Sequence, residues 1–132
     1  MESNINLIPY RDVTLIFGGR RVIGVHTSSP NFITDASFSM KSDAICKLKE
    51  AEYITEDLAE YLLHKLYEPV SALSDMTPSN IHLRKYSDKI FIFKRKTIIA
   101  IFQYGKIDFI YNAPKDVQDK VVEQLKKFKY MH

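Results

Sequence analysis

The most regular hydrophobic pattern of the chain lies in residues 81 to 112. Four runs rich in β-branched and aromatic residues are separated by breaks of two or three polar residues, and the runs are Ile81–Tyr86, Lys89–Lys94, Thr97–Gln103 and Ile107–Tyr111. Strands joined by such short gaps are antiparallel neighbours, because parallel strands need a long crossover connection. The pattern therefore predicts a four-stranded antiparallel meander.

The two inner runs of this meander are apolar at successive positions, from Ile90 to Phe93 and from Ile98 to Phe102. A strand with one face in water alternates apolar and polar residues, so these continuous runs indicate that both faces are covered. The cover on the second face could come from another helix of the same chain or from a second copy of it. We therefore expect a homodimer.

A second strand pair is predicted nearer the amino terminus, between Asp12 and His26. Gly18-Gly19 separates two β-branched runs and suits a tight turn, since such turns need a positive φ that glycine adopts easily. Residues 27 to 40 are rich in Ser, Thr and Asn and lack helical periodicity. We predict a long loop there, of the kind that often carries function.

Three helices are predicted from capping residues and apolar spacing. Lys41–Tyr53 should form a short helix capped by Ser42. Thr55 precedes two acidic residues and begins a leucine-striped helix that should stop or kink shortly before Pro69. The last helix follows Pro114, with apolar residues three and four apart.

These elements predict an α+β fold and a single domain spanning residues 1-132. The expected architecture is one antiparallel sheet of five to six strands, built from the amino-terminal hairpin and the carboxy-terminal meander and covered by helices. No sequence repeat at the period of a solenoid is visible.

Composition excludes several classes of protein. Cys46 is the single cysteine, so no intrachain disulfide can form. The amino terminus lacks the features of a signal peptide, and no apolar stretch is long enough for a membrane helix. We therefore expect a soluble cytoplasmic protein without membrane insertion. The net charge of +3 permits contact with nucleic acid but does not argue for it.

No arrangement of residues predicts catalysis. The four histidines have no metal-ligand spacing, and Gly18-Gly19 lacks the Lys-Ser/Thr of a phosphate-binding loop. No serine lies in a nucleophile turn, and we expect Cys46 to be buried as a small hydrophobe. We predict a protein that is not an enzyme and has no catalytic residues, cofactor or metal.

Basic residues at the predicted turns and on a neighbouring strand are the one candidate binding set. They are Arg20, Arg21, Arg84, Lys85, Lys94, Arg95 and Lys96. Interleaved with tyrosines, these cations could contact the phosphates of a nucleic acid. Alternatively, charged turns could keep a very apolar sheet soluble and protect its edges.

The order of elements resembles the roadblock dynein-light-chain family and the related longin and profilin-like modules. The resemblance is carried by the Val13–Val25 hairpin, the Thr55–Leu73 helix and the Ile90–Tyr111 meander. The extra helix at Lys41–Tyr53 and the absence of an amino-terminal helix are departures from that plan. The resemblance implies a non-catalytic platform that dimerises through sheet edges and helices and binds a small GTPase or a similar protein partner.

We therefore predict a non-catalytic protein–protein interaction or regulatory module that acts as a homodimer. The alternative is a small nucleic-acid-binding protein that uses the basic hairpin turns. A further alternative is a phage- or plasmid-type inhibitor that docks on a host protein.

Overall fold

A computed structural model describes residues 4–66, 73 and 75–132. The chain divides into two compact units, Met1–Pro69 and Val70–His132. The described elements of the first unit are β1 (Ile5–Tyr10), β2 (Val13–Gly18), β3 (Arg21–His26), β4 (Pro30–Phe32), α1 (Phe38–Glu50) and α2 (Glu56–His64). Those of the second are β5 (Ile81–Tyr86), β6 (Lys89–Lys94), β7 (Thr97–Gln103), β8 (Lys106–Phe109) and α3 (Lys115–Lys127).

The α+β class and the carboxy-terminal helix are confirmed, but the single sheet of five to six strands is wrong. The described strands form two antiparallel sheets of four, in the orders β1-β2-β3-β4 and β5-β6-β7-β8. The sequence interpretation missed β1 because Asn6 and Pro9 interrupt its apolar pattern, and it missed β4 because that strand has three residues. The grouping of all 132 residues into one domain stays a prediction.

The helices begin and end near, but not always at, the predicted residues. α1 begins at Phe38 and is capped by Ser37, whose Oγ accepts a hydrogen bond from the Met40 N–H at 3.1 Å, so Ser42 is not the cap. Thr55 caps α2 as predicted, accepting from Leu58 N–H at 3.1 Å. The predicted break before Pro69 lies outside the described residues.

One face of each sheet packs against a helix of its own unit. In the first unit the fully buried contacts include Ile16 and Ile23 from the sheet and Ala44 and Leu48 from α1. In the second unit the corresponding apolar cluster joins three strands to α3, and its buried members are Ile81, Ile90, Ile92, Ile99, Ala100, Val117, Val121 and Leu125. The buried sides of α1 and α3 are therefore the sides on which apolar residues recur at intervals of three and four.

The two central strands of the second sheet are buried on both faces, as predicted. Every residue of β6 is buried, including Phe91, which alternates with the residues that face α3. Ile101 lies opposite Phe91 on β7 and is also fully buried. These side chains are buried in a single copy of the chain, so their burial gives no reason to require a second copy. The homodimer stays a prediction, and its remaining support is the resemblance to the dimeric roadblock and longin modules.

The two units have the same order of four strands and a helix, a structural repeat that the sequence interpretation did not identify. The register shifts at the same place in both, between Ile16/Phe17 and between Ile92/Phe93. After the helices, Tyr53 N–H donates to the Leu48 carbonyl at 2.9 Å, and Tyr130 N–H donates to the Leu125 carbonyl at 2.8 Å. α2 follows the first repeat and has no counterpart among the described elements of the second.

Candidate functional site

The seven predicted basic residues are divided between the two units. Arg20 and Arg21 lie at the β2–β3 turn of the first unit, and the other five lie on β5 or at the β6–β7 turn of the second. Their surroundings differ enough to separate them into buried, paired and exposed cations.

Lys94 is a structural anchor rather than an exposed cation. Its side chain is 1% exposed, and its Nζ lies 3.8 Å from the Asp75 carboxylate. Nζ also donates to Thr77 Oγ1 at 2.9 Å, to Ser79 Oγ at 3.2 Å and to the Ser79 carbonyl. The buried ammonium is thus compensated by hydrogen bonds, as such a charge must be. Lys94 fastens residues 75–79 to the end of β6 and offers no charge to a ligand.

Two of the predicted arginines are held in ion pairs. Arg95 Nε lies 3.2 Å from Asp75 Oδ2. A guanidinium nitrogen of Arg21 contacts both carboxylate oxygens of Asp35, at 2.9 and 3.1 Å. Arg20 and Lys96 are exposed and make no ion pair within the described residues. The turns therefore carry less unpaired charge than the sequence suggested.

The remaining two predicted residues, Arg84 and Lys85, lie on β5, which is an edge strand. Asn80, just before β5, directs its carbonyl toward β6 and accepts from Arg95 N–H at 3.0 Å. Successive residues of a strand direct their backbone groups to opposite sides. Ile81, Leu83 and Lys85 therefore direct their N–H and C=O groups outward, away from β6.

β1 is the matching edge of the first sheet, and it has the same backbone orientation. Asn4 accepts from Gly19 N–H at 2.9 Å, so the outward positions of β1 include Pro9. Proline has no N–H, and edge strands commonly carry it to prevent another strand from pairing. Lys85 stands at the equivalent position of β5 and retains its N–H.

The other two edges of the described sheets are short. β4 has three residues and begins with Pro30, and β8 has four residues. β5 has six residues, no proline and no register shift in its pairing with β6. Within the described residues, β5 is therefore the edge best able to accept an added strand.

The side chains of β5 divide between the two faces of the sheet. Ile81, Leu83 and Lys85 lie on the α3 side, while His82 and Arg84 lie on the other. His82 stacks on Phe93 with 5.3 Å between ring centroids. His82, Arg84 and Lys85 are all exposed. The edge thus combines outward backbone groups with cationic side chains on both faces.

An open depression adjoins the Lys85 end of β5 on the α3 side. Its volume is about 640 Å³, and its lining includes Lys85, Ile90, Phe102 and Tyr130. The size lies within the range of small-ligand clefts. Its wide opening and mixed lining suit a side chain from a neighbouring segment better than an enclosed small molecule.

Sequence reasoning missed a buried polar group at the β7–β8 hairpin. The Asp108 carboxylate is 2% exposed, accepts from Gln103 Nε2 at 2.9 Å and lies 3.7 Å from Lys106 Nζ. A buried carboxylate with these partners stabilises the hairpin and does not act as a free base. Gln103 and Asp108 are five residues apart across the β7–β8 turn, and this spacing gave no sign that the carboxylate would be buried.

His26 is the one buried side chain in the described part of the chain with an unpartnered polar atom, its Nδ1. The ring meets Tyr53 edge-on, with 5.8 Å between centroids. Burial lowers the pKa of His26 below its ordinary value. No carboxylate or nucleophile among the described residues hydrogen-bonds to the ring, so His26 forms no catalytic pair with them.

The described ranges contain no assembled site for a metal ion or for a nucleophilic cysteine. No group of three or more His, Cys, Asp or Glu side chains is placed to hold a metal ion among residues 4–66, 73 and 75–132. Cys46 is exposed on α1, contrary to our expectation, because it lies away from the buried side that includes Ile45 and Leu48. Over the same residues, no helix has the length and apolarity to cross a membrane.

Comparison with known proteins adds no relative from which a role could be transferred. No family, curated protein or solved structure matches this chain. The resemblance to roadblock and longin modules stays a prediction.

Proposed function

We propose that this chain is a non-catalytic protein-binding module and that β5 is its binding edge. The observation that carries the proposal is the contrast between β5 and the other three edges in the described residues. β5 has six residues, outward N–H groups at Ile81, Leu83 and Lys85, and exposed cations beside them. An extended segment of a partner can add to such an edge, because main-chain hydrogen bonds supply affinity and alternate side chains supply specificity.

The nucleic-acid alternative has less support. Binding to phosphates depends on several cations that are accessible to solvent. Lys94 is buried, and Arg21 and Arg95 are already paired with carboxylates. A small GTPase, a second copy of this chain and a host protein are the three kinds of partner that the proposed protein-binding function includes.

The decisive test replaces one backbone N–H. Lys85→Pro copies the residue that β1 carries at the same position, and the outward direction of that N–H means that no hydrogen bond to β6 is lost. Lys85→Gln is the matched control, because it removes the same charge but keeps the N–H. We expect nuclease-treated lysate of source cells to yield a protein partner with the wild type and, because the N–H is kept, also with Lys85→Gln, and at least about tenfold less with Lys85→Pro than with Lys85→Gln.

Folding is checked by comparing the thermal unfolding of the two variants. If Lys85→Pro is misfolded, Arg84→Glu serves as the second variant, since it reverses an exposed charge without touching the backbone. Equal recovery of the partner with Lys85→Pro and Lys85→Gln would contradict a role for the β5 edge. Loss of all binding after nuclease treatment would favour the nucleic-acid alternative.

A further inference from the structure

We infer that the segment bound by β5 is an extended strand from another protein in which acidic and apolar residues alternate. This inference rests on the proposed function of β5 and adds the chemistry of the partner. It depends on three features of the second unit: the unbalanced charge of the edge, the like charges that oppose self-pairing, and the depression on the α3 side.

The charge near β5 is positive on both faces. The strand contains His82, Arg84 and Lys85 and no acidic residue. At its first end, Asp75 is already engaged by Lys94 and Arg95. At its other end, Asp88 pairs with Lys89 at 3.0 Å. The exposed Arg84 and Lys85 make no ion pair within the described residues, so an incoming carboxylate would meet uncompensated cations.

A second copy of this chain is a poor occupant of the same edge. If two β5 strands paired antiparallel about Leu83, each Arg84 would lie opposite His82 of the other copy and would find no carboxylate there, and a shift of register toward Lys85 would place two arginines opposite each other. Like charges directly opposite on paired strands are destabilising. An acidic strand converts the same positions into favourable cross-strand pairs.

The α3 side of the edge calls for apolar residues between the acidic ones. Side chains of an added strand alternate between the two faces of the sheet. Those on the face of Arg84 and His82 should be acidic, while those on the other face would lie beside Leu83 and above the depression that includes Ile90 and Phe102. An apolar side chain at that point would remove surface from water and fix the register.

The experiment uses the full chain and blocked octapeptides followed by amide hydrogen exchange. A peptide alternating Glu and Val should protect the amides of Ile81, Leu83 and Lys85, which face away from β6, and should leave those of Ile5 and Leu7 unchanged. The charge-reversed peptide alternating Lys and Val should bind at least about tenfold more weakly. Added salt should weaken binding of the acidic peptide, because the charges it meets are exposed.

Two N-methylated isomers of the acidic peptide test strand addition without altering the protein. Methyl groups on one alternate set of amides would face β5 and block its hydrogen bonds, while the other set would face solvent. We expect one isomer to bind like the parent peptide and the other to lose binding. Equal binding of both isomers would overturn pairing with the backbone of β5.

The outcomes separate this inference from the proposed function. If Lys85→Pro loses its protein partner but the acidic peptide gives no protection at millimolar concentration, β5 remains a binding edge and the acidic partner is wrong. Equal affinity for the Lys and Glu peptides would also contradict the acidic partner. If Lys85→Pro keeps its partner, the proposed function fails whatever the peptides do.

Discussion

The two units have the same strand ladder and differ at its edges and turns. Pro9 stands at an outward position of β1 where β5 has Lys85, so β1 lacks an N–H for pairing at that position, whereas β5 keeps it and has no further strand beside it among the described residues. Gly18 ends β2 where Lys94 ends β6. The register shifts and the hydrogen bonds that follow the helices are retained. The two units therefore share the ladder and differ at edge and turn positions.

The Gly18 and Lys94 positions show how the same ladder accommodates different side chains. A Cβ added to Gly18 would clash with Met40 Cε, so in the first unit a side chain from α1 occupies that space. In the second unit Lys94 brings its own long side chain and buries it against the 75–79 segment. Met40 from α1 therefore fills the space at the end of β2, whereas at the end of β6 the side chain of the strand residue Lys94 is itself buried.

The largest effect is expected from Lys94→Ala. The change removes the stem of a buried side chain and leaves Thr77 and Ser79 without their donor. Loss of packing and of these hydrogen bonds should lower the free energy of unfolding by about 3 kcal/mol. Urea unfolding of the variant and the wild type at pH 7 measures the difference.

Two variants identify the cause of that loss. Lys96→Ala removes an exposed cation from the same turn and should change stability by less than about 0.5 kcal/mol. Lys94→Met keeps an unbranched stem and removes only the ammonium, so it separates packing from hydrogen bonding. If Lys94→Ala were no more destabilising than Lys96→Ala, the anchoring role of Lys94 would be wrong.

Lys94 also shows what the sequence could not reveal about the candidate site. It belongs to a run of three basic residues at a tight turn, and such a run is ordinarily solvated. Its burial depends on Asp75, Thr77 and Ser79, which are distant in the chain and carry no pattern of their own. Arg84 and Lys85 can likewise contribute to a binding site only because β5 is an edge strand, and composition alone does not determine which strand lies at an edge.

The fold was predictable where local composition dominates. β5, β6 and β7 have the predicted bounds because dense β-branched and aromatic runs are bracketed by short polar turns. β4 was not predictable, because three residues are too few for a recognisable alternation. The division into two sheets was missed for the same reason: without β1 and β4, the first hairpin looked like an addition to the second meander.

Gly24 and Ala100 offer a second comparison, with a smaller expected effect. They are equivalent positions on β3 and β7, and they pair with Phe32 and Phe109. A Cβ at Gly24 would lie 2.8 Å from the Asn31 carbonyl oxygen and 2.9 Å from Phe32 Cδ1. Because the oxygen belongs to the backbone of the paired strand, Gly24→Ala should destabilise by about 2 kcal/mol.

The reciprocal variant, Ala100→Gly, tests whether the second sheet lacks that restriction. It creates no clash and should lose only about 1 kcal/mol through greater backbone freedom. Thermal unfolding of both variants provides the comparison. A neutral Gly24→Ala would show that β4 can move away from β3 without loss of stability.

The smallest effect is expected from His26→Phe, which introduces the residue that β7 carries at the equivalent position, Phe102. The change removes the unpartnered Nδ1 of a buried ring and keeps an aromatic side chain against Tyr53. We expect a gain of at most about 1 kcal/mol at pH 7, because an unsatisfied polar atom is no longer buried.

The pH dependence of that gain has a definite sign. Burial lowers the pKa of His26 in the folded chain, so the unfolded chain binds the proton more readily. The wild type should therefore lose stability as the pH falls through about 6.5, the ordinary histidine value, and His26→Phe should lack that contribution. Urea unfolding between pH 5 and pH 8 measures the difference, with His64→Phe at an exposed position of α2 as the matched control. An advantage of His26→Phe that stays constant over this range would contradict burial of a neutral imidazole at this position.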